Sequence, residues 1–246
     1  MNNSDVQAVI LAAGKGTRME SDLPKVLHQI NSKPMLGHVL EMVRSVGLSR
    51  SFVVVGHKAE LVSKFSDADD VTSVLQEPQL GTGHAVQVTV PVLKAGGYTI
   101  ILCGDVPLLK SETVSTLIEK TKSAGVSASV LTCVVENAGS YGRIVKDADG
   151  NFKAIVEARD ATEEQLAIGE YNSGVFCFKT DDMIEALAEL KSDNDQSEYY
   201  LTDTIAYLVS EGKKVQAVAI DDPVQVMGIN TVAELAEAEK YFLERS

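Results

Sequence analysis

The sequence has 246 residues, of which 45% are hydrophobic and 23% charged, as in ordinary globular proteins with one large domain or two small ones. Its formal net charge of -13 argues against a polyanionic partner such as nucleic acid or an anionic membrane surface. An anionic substrate would therefore need a local cluster of basic side chains.

Cysteine placement and the amino terminus bear on the expected compartment. The three cysteines, Cys103, Cys133 and Cys177, lie at wide spacings inside apolar runs, which predicts free buried thiols in a reducing compartment. The first six residues have no basic segment, and the apolar run after them is short. We therefore expect neither a signal peptide nor a membrane span, and a cytoplasmic location.

Short runs rich in Val, Ile and Leu alternate with helical patterns in the first half of the chain. The runs predict strands that are covered on both faces, at 6–13, 51–56, 71–76 and 98–103. The helical patterns cover 35–46, 57–65, 83–93 and 111–124. The first of these helices should end at Gly47, and Ser111 with Thr113 offers caps for the last. This alternation predicts an α/β fold with a mostly parallel sheet.

The pattern changes after about residue 126. Strands are predicted at 127–135, 141–146, 152–158 and 171–179, with a turn at Asp149-Gly150-Asn151. Helices at 181–190 and 202–211 follow, then a strand at 215–220, a short run at 224–227 and a last helix at 231–245. The preferred interpretation is one domain with an inserted antiparallel lobe.

A glycine-rich loop follows the first predicted strand and is the strongest local signal. The segment Leu11-Ala12-Ala13-Gly14-Lys15-Gly16-Thr17-Arg18-Met19 lets backbone N–H groups approach phosphate oxygens. Its spacing fits neither a P-loop nor a dinucleotide-binding fingerprint. The loop and its continuation, Pro24-Lys25, concentrate cations in an otherwise acidic protein. The alternative is a solvated turn beside a surface lysine.

Asp105 directly follows the apolar strand predicted at 98–103. In open α/β sheets this carboxyl edge is where ligands bind. A carboxylate at that place could hold Mg²⁺, which would neutralise triphosphate charge. The alternative role for Asp105 is a helix or turn cap.

A second glycine-containing loop runs from Gln76 to His84. Gln76 offers both a donor and an acceptor to a base edge, and Gly81 and Gly83 would let the backbone close around a flat ring. A helix capped by Thr82 is an alternative that is compatible with this function.

Taken in order, these and later motifs resemble the uridylyltransferase domain of the bacterial bifunctional N-acetylglucosamine-1-phosphate uridylyltransferases. The glycine-rich loop alone resembles the wider family of sugar-nucleotide pyrophosphorylases. The resemblance covers residues 6–245 and includes Tyr141-Gly142-Arg143-Ile144, Ile155-Val156-Glu157, Asn172-Ser173-Gly174, Glu198-Tyr199-Tyr200-Leu201-Thr202-Asp203 and Gly228-Ile229-Asn230.

The resemblance implies a Rossmann-like nucleotidyltransferase fold and a set of site residues. Arg18 and Lys25 would hold the triphosphate and act in catalysis, and Asp105 with Asn230 would bind Mg²⁺. Gly142, Glu157 and Asn172 would hold the amino sugar, although Glu157 could instead be a surface strand end paired with Arg159. The nucleotide and its phosphates would be bound by Leu11, Ala12, Ala13, Gly14, Lys25, Gln76, Gly81, Thr82, Cys103, Gly104 and Asp105.

The implied reaction is attack of N-acetylglucosamine 1-phosphate on UTP, giving UDP-N-acetylglucosamine for cell-wall peptidoglycan and releasing pyrophosphate. The nucleophile is already an anion, so no general base is needed, and the four histidines are expected to be structural or surface residues. Two alternatives stay open: the same chemistry with another sugar 1-phosphate or dTTP, and a non-catalytic nucleotide-sugar binding module.

The resemblance also implies a division into a nucleotidyltransferase domain at 1–230 and a carboxyl-terminal helix at 231–246. In the bifunctional enzymes that helix starts an arm toward an acetyltransferase domain. The hexapeptide repeats of such a domain are absent from this sequence. Acetyl transfer is therefore not expected, and a trimer is expected only if the full gene product has that domain.

Overall fold

A computed structural model describes residues 3–48 and 50–245. Within them the strands are β1 (Val6–Leu11), β2 (Gln29–Ile30), β3 (Lys33–Pro34), β4 (Ser51–Val55), β5 (Val71–Leu75), β6 (Tyr98–Cys103), β7 (Ala128–Val134), β8 (Arg143–Lys146), β9 (Phe152–Val156), β10 (Glu170–Lys179) and β11 (Val215–Ile220). The helices are α1 (Met35–Val46), α2 (Ala59–Phe65), α3 (Thr82–Gln87), α4 (Ser111–Ala124), α5 (Glu163–Leu166), α6 (Thr180–Ala188), α7 (Asp203–Ser210) and α8 (Val232–Arg245). Short 3₁₀ turns lie at Thr17–Met19, Lys25–Leu27, Val90–Val92 and Pro223–Val226.

One large sheet organises the molecule, with the strand order β11-β7-β10-β6-β1-β4-β5. Its strands are parallel except β10, which runs antiparallel to both β6 and β7. The β8–β9 hairpin joins through one register pair, Tyr171 with Arg143. The predicted α/β fold with a mostly parallel sheet and an antiparallel lobe is therefore confirmed.

The chain order of the strands places a crevice at the carboxyl end of β1. After β1 the chain builds β4 and β5 on one side, then returns to place β6 on the other side. The last register pair between β1 and β6 joins Leu11 to Cys103. Ligands of open α/β sheets bind at such a reversal, because the two loops diverge there and leave a gap.

Hydrophobic side chains fill both faces of the central strands. Ile10 of β1 lies in a cluster with Leu36 of α1 and Leu117 of α4. On the opposite face, Val9 lies in a second cluster with helices α3, α6 and α7. The alternation along β1 explains its mostly apolar sequence, because both faces are covered.

The prediction that residues 71–76 form a strand covered on both faces is wrong. Strand β5 forms at the edge of the sheet, pairing only with β4, and Thr72 and Ser73 are exposed. Leu75 is 53% exposed. The local sequence does not show where a strand lies in the sheet. Here β5 is the last strand, and its side chains are less covered than those of the central strands.

Helix ends follow the sequence signals only in part. Helix α1 ends where predicted, with Gly47 in the left-handed region at φ 76°. Helix α4 starts at Ser111, but neither Ser111 nor Thr113 caps it; the Thr113 hydroxyl donates to Gln225 at 2.6 Å. The Thr113 hydroxyl therefore serves a tertiary contact and not a helix cap.

Helix α8 packs back onto the body of the protein. The ring of Phe242 lies 5.0 Å from that of His38 on α1, and the backbone N–H of Asn31 donates to Glu239. Ala238 is fully buried with Ile30 and Ile229. The start of the predicted arm is thus held against the β2–β3 ribbon. Among the helices described, none is both long and apolar enough to cross a bilayer.

Candidate active site

The glycine-rich loop leaves β1 with its backbone fixed by neighbours. The Ala12 N–H donates to the Val54 carbonyl at 2.9 Å. The carbonyl of Ala13 accepts from the His57 N–H at 3.1 Å and from the Gln79 side chain at 2.5 Å. Beyond Ala13 the loop opens, since a Cβ on Gly14 would meet nothing within 4 Å. A firm base and an open tip suit a loop that admits a phosphate.

Gly16 determines how close the loop comes to Lys25. Its φ of 61° lies in the left-handed region, and a Cβ built there would stand 2.5 Å from the Cβ of Lys25. Only glycine satisfies both conditions without displacement. The loop therefore packs directly on the lysine that Pro24 precedes. Arg18 lies in the same loop, on the exposed 3₁₀ turn Thr17–Met19.

The ammonium of Lys25 brings together Asp105 and Asn230, which lie 80 and 205 positions away in the chain. It forms an ion pair with the Asp105 carboxylate and donates to the Asn230 amide oxygen at 2.8 Å. The lysine and aspartate side chains are 15% and 18% exposed. We call these three residues the reaction point. The Asn230 amide nitrogen donates to Gly228 at 3.2 Å, so the oxygen faces the lysine.

The reaction point offers donors that fit Mg²⁺ bound together with a substrate. Two hard oxygen atoms, from Asp105 and Asn230, converge on one cationic group. Within residues 3–48 and 50–245, no three His, Cys, Asp or Glu side chains cluster as a metal site. A Mg²⁺ held by these two oxygens would take its other ligands from phosphate oxygens and water, as Mg²⁺ sites in nucleotide enzymes usually do.

A cavity of about 490 Å³ opens beside the reaction point. Ten of the predicted substrate-binding residues line it: Leu11, Ala12, Ala13, Gly14, Lys25, Gln76, Gly81, Thr82, Cys103 and Asp105. Five further residues complete the lining: Lys15, Val26, Gln79, Ala85 and Glu198. The remaining predicted residues lie outside the lining: Arg18, Gly104, Gly142, Glu157, Asn172 and Asn230.

Gly104 supports the cavity from behind. Its N–H donates to the Leu11 carbonyl at 2.9 Å, and a Cβ there would stand 3.2 Å from Val26. It therefore holds the ends of β1 and β6 together beneath the lining.

The Gln76–His84 loop is fixed by a hydrogen bond of its own and by contacts with residues 199–201. The Gln76 amide nitrogen donates to the Gly81 carbonyl at 2.9 Å, and Gln76 itself is buried. Gly81 adopts φ 105°, and a Cβ on it would stand 2.6 Å from the Tyr199 carbonyl. Thr82 does not cap α3; its hydroxyl accepts from the Leu201 N–H at 3.1 Å. This loop is therefore held against residues 199–201.

Gln79 and Glu198 also line the cavity, although the sequence predicted no role for either. Gln79 donates to the Ala13 carbonyl, 66 positions away in the chain, and Glu198 packs on Gly81, where a Cβ would stand 2.9 Å from the Glu198 Cβ. Neither lies beside a glycine-rich phosphate loop in sequence. Both residues lie in motifs that carry the family resemblance, but a motif does not show which way a side chain points.

Gly142, Glu157 and Asn172 do come together, and we call them the sugar cluster. The Asn172 N–H donates to the Gly142 carbonyl at 2.8 Å. A Cβ on Gly142 would stand 3.4 Å from both carboxylate oxygens of Glu157. The cluster reaches the cavity through Gly174, whose N–H donates to the Asn172 side chain and where a Cβ would meet the Cys103 sulfur at 3.1 Å.

Glu157 is a largely buried carboxylate with a polar partner. It accepts a hydrogen bond from the Thr202 hydroxyl at 3.0 Å, and the ion pairs of the described residues include none with Arg159. Burial raises the pKa of Glu157, and the nearby charges of Asp203 and Asp160 add to that increase. A carboxylate without a cationic partner is suited to accept hydrogen bonds from hydroxyl or amide groups.

The cysteines are free, as predicted, but only Cys133 and Cys177 are fully buried. Cys103 is half-buried at the cavity, where its thiol lies 3.6 Å from the Gly174 carbonyl. Burial raises the pKa of Cys103 to about 12, and the charge of Asp105 adds to this effect. The thiol is thus protonated at neutral pH and is not a nucleophile.

Two other polar groups near the site have structural roles. The buried guanidinium of Arg143 donates to the carbonyls of Tyr141 and Gly139, so it orders the backbone before β8. His38 is buried with its ring bonded to the Ile30 carbonyl at 2.9 Å. The position of His38 agrees with the expectation that the histidines are structural or surface residues.

Comparison with known proteins agrees with this geometry. The sequence pattern of the MobA-like NTP transferase domain matches residues 8–206. The chain is 45% identical over 241 residues to the bifunctional protein GlmU of Acetivibrio thermocellus, covering 98% of this chain and 52% of that protein. It is 45% identical over 240 residues to the bifunctional protein GlmU of Exiguobacterium sibiricum, covering 97% and 53%. The chain thus spans about half the length of the curated relatives it matches.

The fold also has close counterparts among solved structures. A UDP-glucose pyrophosphorylase complexed with UDP-glucose superimposes with a TM-score of 0.79 at 17% sequence identity, and the match covers 100% of both chains. At this identity the similarity establishes the fold, a mixed, mostly parallel sheet flanked by helices.

Proposed function

Because the chain belongs to the MobA-like NTP transferase domain family, we propose that this nucleotidyltransferase transfers UMP from UTP to N-acetylglucosamine 1-phosphate, with Mg²⁺ bound to Asp105 and Asn230. The products are UDP-N-acetylglucosamine and pyrophosphate. The relatives named GlmU support the sugar nucleotide, and the proposed place of the product is cell-wall precursor synthesis in the cytoplasm.

The observation that carries this proposal is the reaction point beside the cavity. One lysine, one carboxylate and one amide oxygen converge at the mouth of the crevice between β1 and β6. A net charge of -13 makes the rest of the protein unfavourable for a triphosphate. Lys15 and Arg18 of the glycine-rich loop, with Lys25 once it turns from Asp105, would therefore supply the local positive charge that holds the phosphates.

The protein's part in the reaction is alignment and electrostatics. The open tip of the loop at Gly14 gives phosphate oxygens access to backbone N–H groups, and Lys25 would turn from Asp105 toward the α-phosphate. Mg²⁺, when bound, neutralises charge on the triphosphate and the departing pyrophosphate. The sugar phosphate is an anion already, so in-line attack needs no general base and no covalent enzyme intermediate. Arg18, on the exposed turn of the same loop, would bind the outer phosphates.

The sugar cluster would receive the N-acetylglucosamine ring. Glu157 accepts hydrogen bonds from sugar hydroxyls, and the Asn172 amide can both donate and accept. A substrate that leaves such a group unpaired should lose ~1–3 kcal/mol. We therefore expect N-acetylglucosamine 1-phosphate to exceed glucose 1-phosphate in kcat/KM by at least about tenfold.

The test is release of pyrophosphate across a matrix of substrates. Initial rates are measured with UTP and dTTP against N-acetylglucosamine 1-phosphate and glucose 1-phosphate, each with Mg²⁺ and with excess chelator. The proposal requires the highest kcat/KM for UTP with N-acetylglucosamine 1-phosphate, and loss of activity with chelator. A higher kcat/KM for another pair would assign the alternative substrates. Ligand-induced stabilisation without any pyrophosphate would assign a binding module.

A further inference from the structure

We infer that Glu234 and Tyr141 are positioning residues, which clamp the loop carrying Asn230 so that its amide oxygen stays at the reaction point. The inference rests on the proposed function, because Asn230 acts there as a ligand of the nucleotide-bound cation. Glu234 and Tyr141 would contribute to cation binding without touching the cation.

Asn230 lies on a short loop, and the residue before it, Ile229, is buried and donates its N–H to the Asp105 carbonyl at 3.0 Å. The loop joins the 3₁₀ turn Pro223–Val226 to α8, and the Asn230 amide nitrogen donates within that loop, to the Gly228 carbonyl at 3.2 Å. The amide oxygen accepts from Lys25 at 2.8 Å. If the loop moved, the oxygen would move with it, so the loop's anchors determine the position of this ligand.

Glu234 is the first anchor. One of its carboxylate oxygens accepts from the Asn230 N–H at 2.7 Å and from the Thr231 N–H at 2.9 Å. The Thr231 hydroxyl in turn accepts from the Glu234 N–H at 3.2 Å. The reciprocal pair of Thr231 and Glu234 is a capping box at the start of α8. The bond to Asn230 is additional to that box, and it ties the proposed ligand's own backbone to the helix.

Tyr141 is the second anchor and comes from the inserted lobe. Its hydroxyl accepts from the Gly228 N–H at 3.1 Å, two residues before Asn230. The ring packs on Tyr171 with centroids 4.7 Å apart, which holds it in place. Burial raises the pKa of Tyr141, and the charge of Asp105 adds to this effect, so the phenol stays neutral. The loop is thus held from both sides, by a helix and by the lobe.

Partners that orient a metal ligand usually matter for affinity nearly as much as the ligand does; their loss costs roughly 10–100-fold. We therefore expect Glu234→Ala and Tyr141→Phe each to weaken binding of the cation by about tenfold. Glu234→Gln should restore most of the affinity, because a single amide oxygen can accept both N–H groups. This recovery distinguishes a geometric role from a requirement for negative charge.

The experiment uses Mn²⁺ as a paramagnetic substitute for Mg²⁺. Its affinity for the protein in the presence of UTP is measured by electron paramagnetic resonance for wild type, Glu234→Ala, Glu234→Gln and Tyr141→Phe. Glu237→Ala on the exposed part of α8 and Tyr207→Phe on α7 are the matched controls. UTP binding without metal, measured by calorimetry, should stay within about twofold of wild type in all of them, since the cavity is untouched.

Several outcomes would overturn the inference. One is unchanged Mn²⁺ affinity in both Glu234→Ala and Tyr141→Phe, even if their Tm falls, because the residues would then only stabilise the fold. Another is a Glu234→Gln variant as weak as Glu234→Ala. A wild-type protein that binds Mn²⁺ with UTP but releases no pyrophosphate would defeat the proposed function, while the variants would still test the clamp.

Discussion

The reaction point and the sugar cluster each contain a carboxylate, but the two carboxylates have different partners. At the reaction point the Asp105 carboxylate is matched by the ammonium of Lys25. In the sugar cluster the Glu157 carboxylate has a hydroxyl partner, and the charges nearest to it are those of Asp203 and Asp160. Under the proposed function, the first arrangement would respond to charge that develops on phosphates, whereas the second would bind neutral hydroxyl and amide groups. We therefore expect substitutions at the two places to affect different kinetic constants.

The largest expected effect is that of Lys25→Ala. A preorganised cation that acts on developing charge typically contributes ~10²–10³ in turnover, about 3–4 kcal/mol. We expect kcat to fall by that factor while the KM for UTP changes less, as measured by steady-state pyrophosphate release. Lys122→Ala, at the opposite end of the sheet beside Asp5, is the control and should keep wild-type kcat. A change in KM alone would mean that Lys25 binds ground state and transition state equally.

Asp105→Asn tests the other charge at the reaction point. It removes the negative charge of the proposed metal ligand but keeps the side-chain shape, so we expect kcat to fall about 10²-fold at limiting Mg²⁺. Asn230→Ala should cost less, because it deletes a neutral oxygen. Titrating Mg²⁺ in both variants measures the difference, with Asp70→Asn on the surface as a control. Near wild-type turnover of Asp105→Asn at limiting Mg²⁺ would remove Asp105 from the proposed metal site.

Glu157→Ala should weaken recognition of the sugar phosphate without changing the affinity for UTP. Loss of a hydrogen-bonded carboxylate should raise the KM for N-acetylglucosamine 1-phosphate by about tenfold. UTP binding, measured separately by calorimetry, should be nearly unchanged, since Glu157 lies outside the cavity lining. Glu185→Ala, whose carboxylate bonds to Lys213 on the surface, is the control. Equal losses for both ligands would make Glu157 a structural residue.

The smallest expected effect concerns stability and pH. Because burial raises the pKa of Glu157 in the folded state, the folded protein binds a proton there more tightly than the unfolded chain does. Stability contributed by this group is therefore full at acid pH and is lost as pH rises past the usual glutamate range. Glu157→Gln should thus increase the free energy of unfolding at pH 7 by roughly 0.5–1 kcal/mol.

Urea unfolding at several pH values checks this prediction. The gain in Glu157→Gln should shrink as pH falls toward 4, because wild-type Glu157 then becomes neutral as well. A gain that does not vary with pH would show that packing, and not ionisation, separates the two proteins. A gain with a weaker response to the sugar phosphate would indicate that the carboxylate is retained for recognition at a cost in stability.

Most elements of this fold could be predicted because their apolar patterns are local. Strands β6 and β11 and helix α4 have the bounds that periodicity predicted, since a buried strand or an amphipathic helix carries its signature within itself. The glycine-rich loop could be recognised for the same reason. Gly14 and Gly16 lie in the same short stretch of chain as Lys15, Arg18 and Pro24, on which the predicted phosphate binding rests.

The sequence by itself determined which residue types could do the chemistry, and the tertiary structure decided which of them meet. Nothing in the spacing of Lys25, Asp105 and Asn230 requires contact, because that contact depends on β6 returning beside β1 and on α8 docking against the β2–β3 ribbon. The edge position of β5 and the reach of Gln79 to Ala13 were decided in the same way. These contacts and positions depend on packing between distant segments of the chain, and a local pattern of residues does not specify that packing.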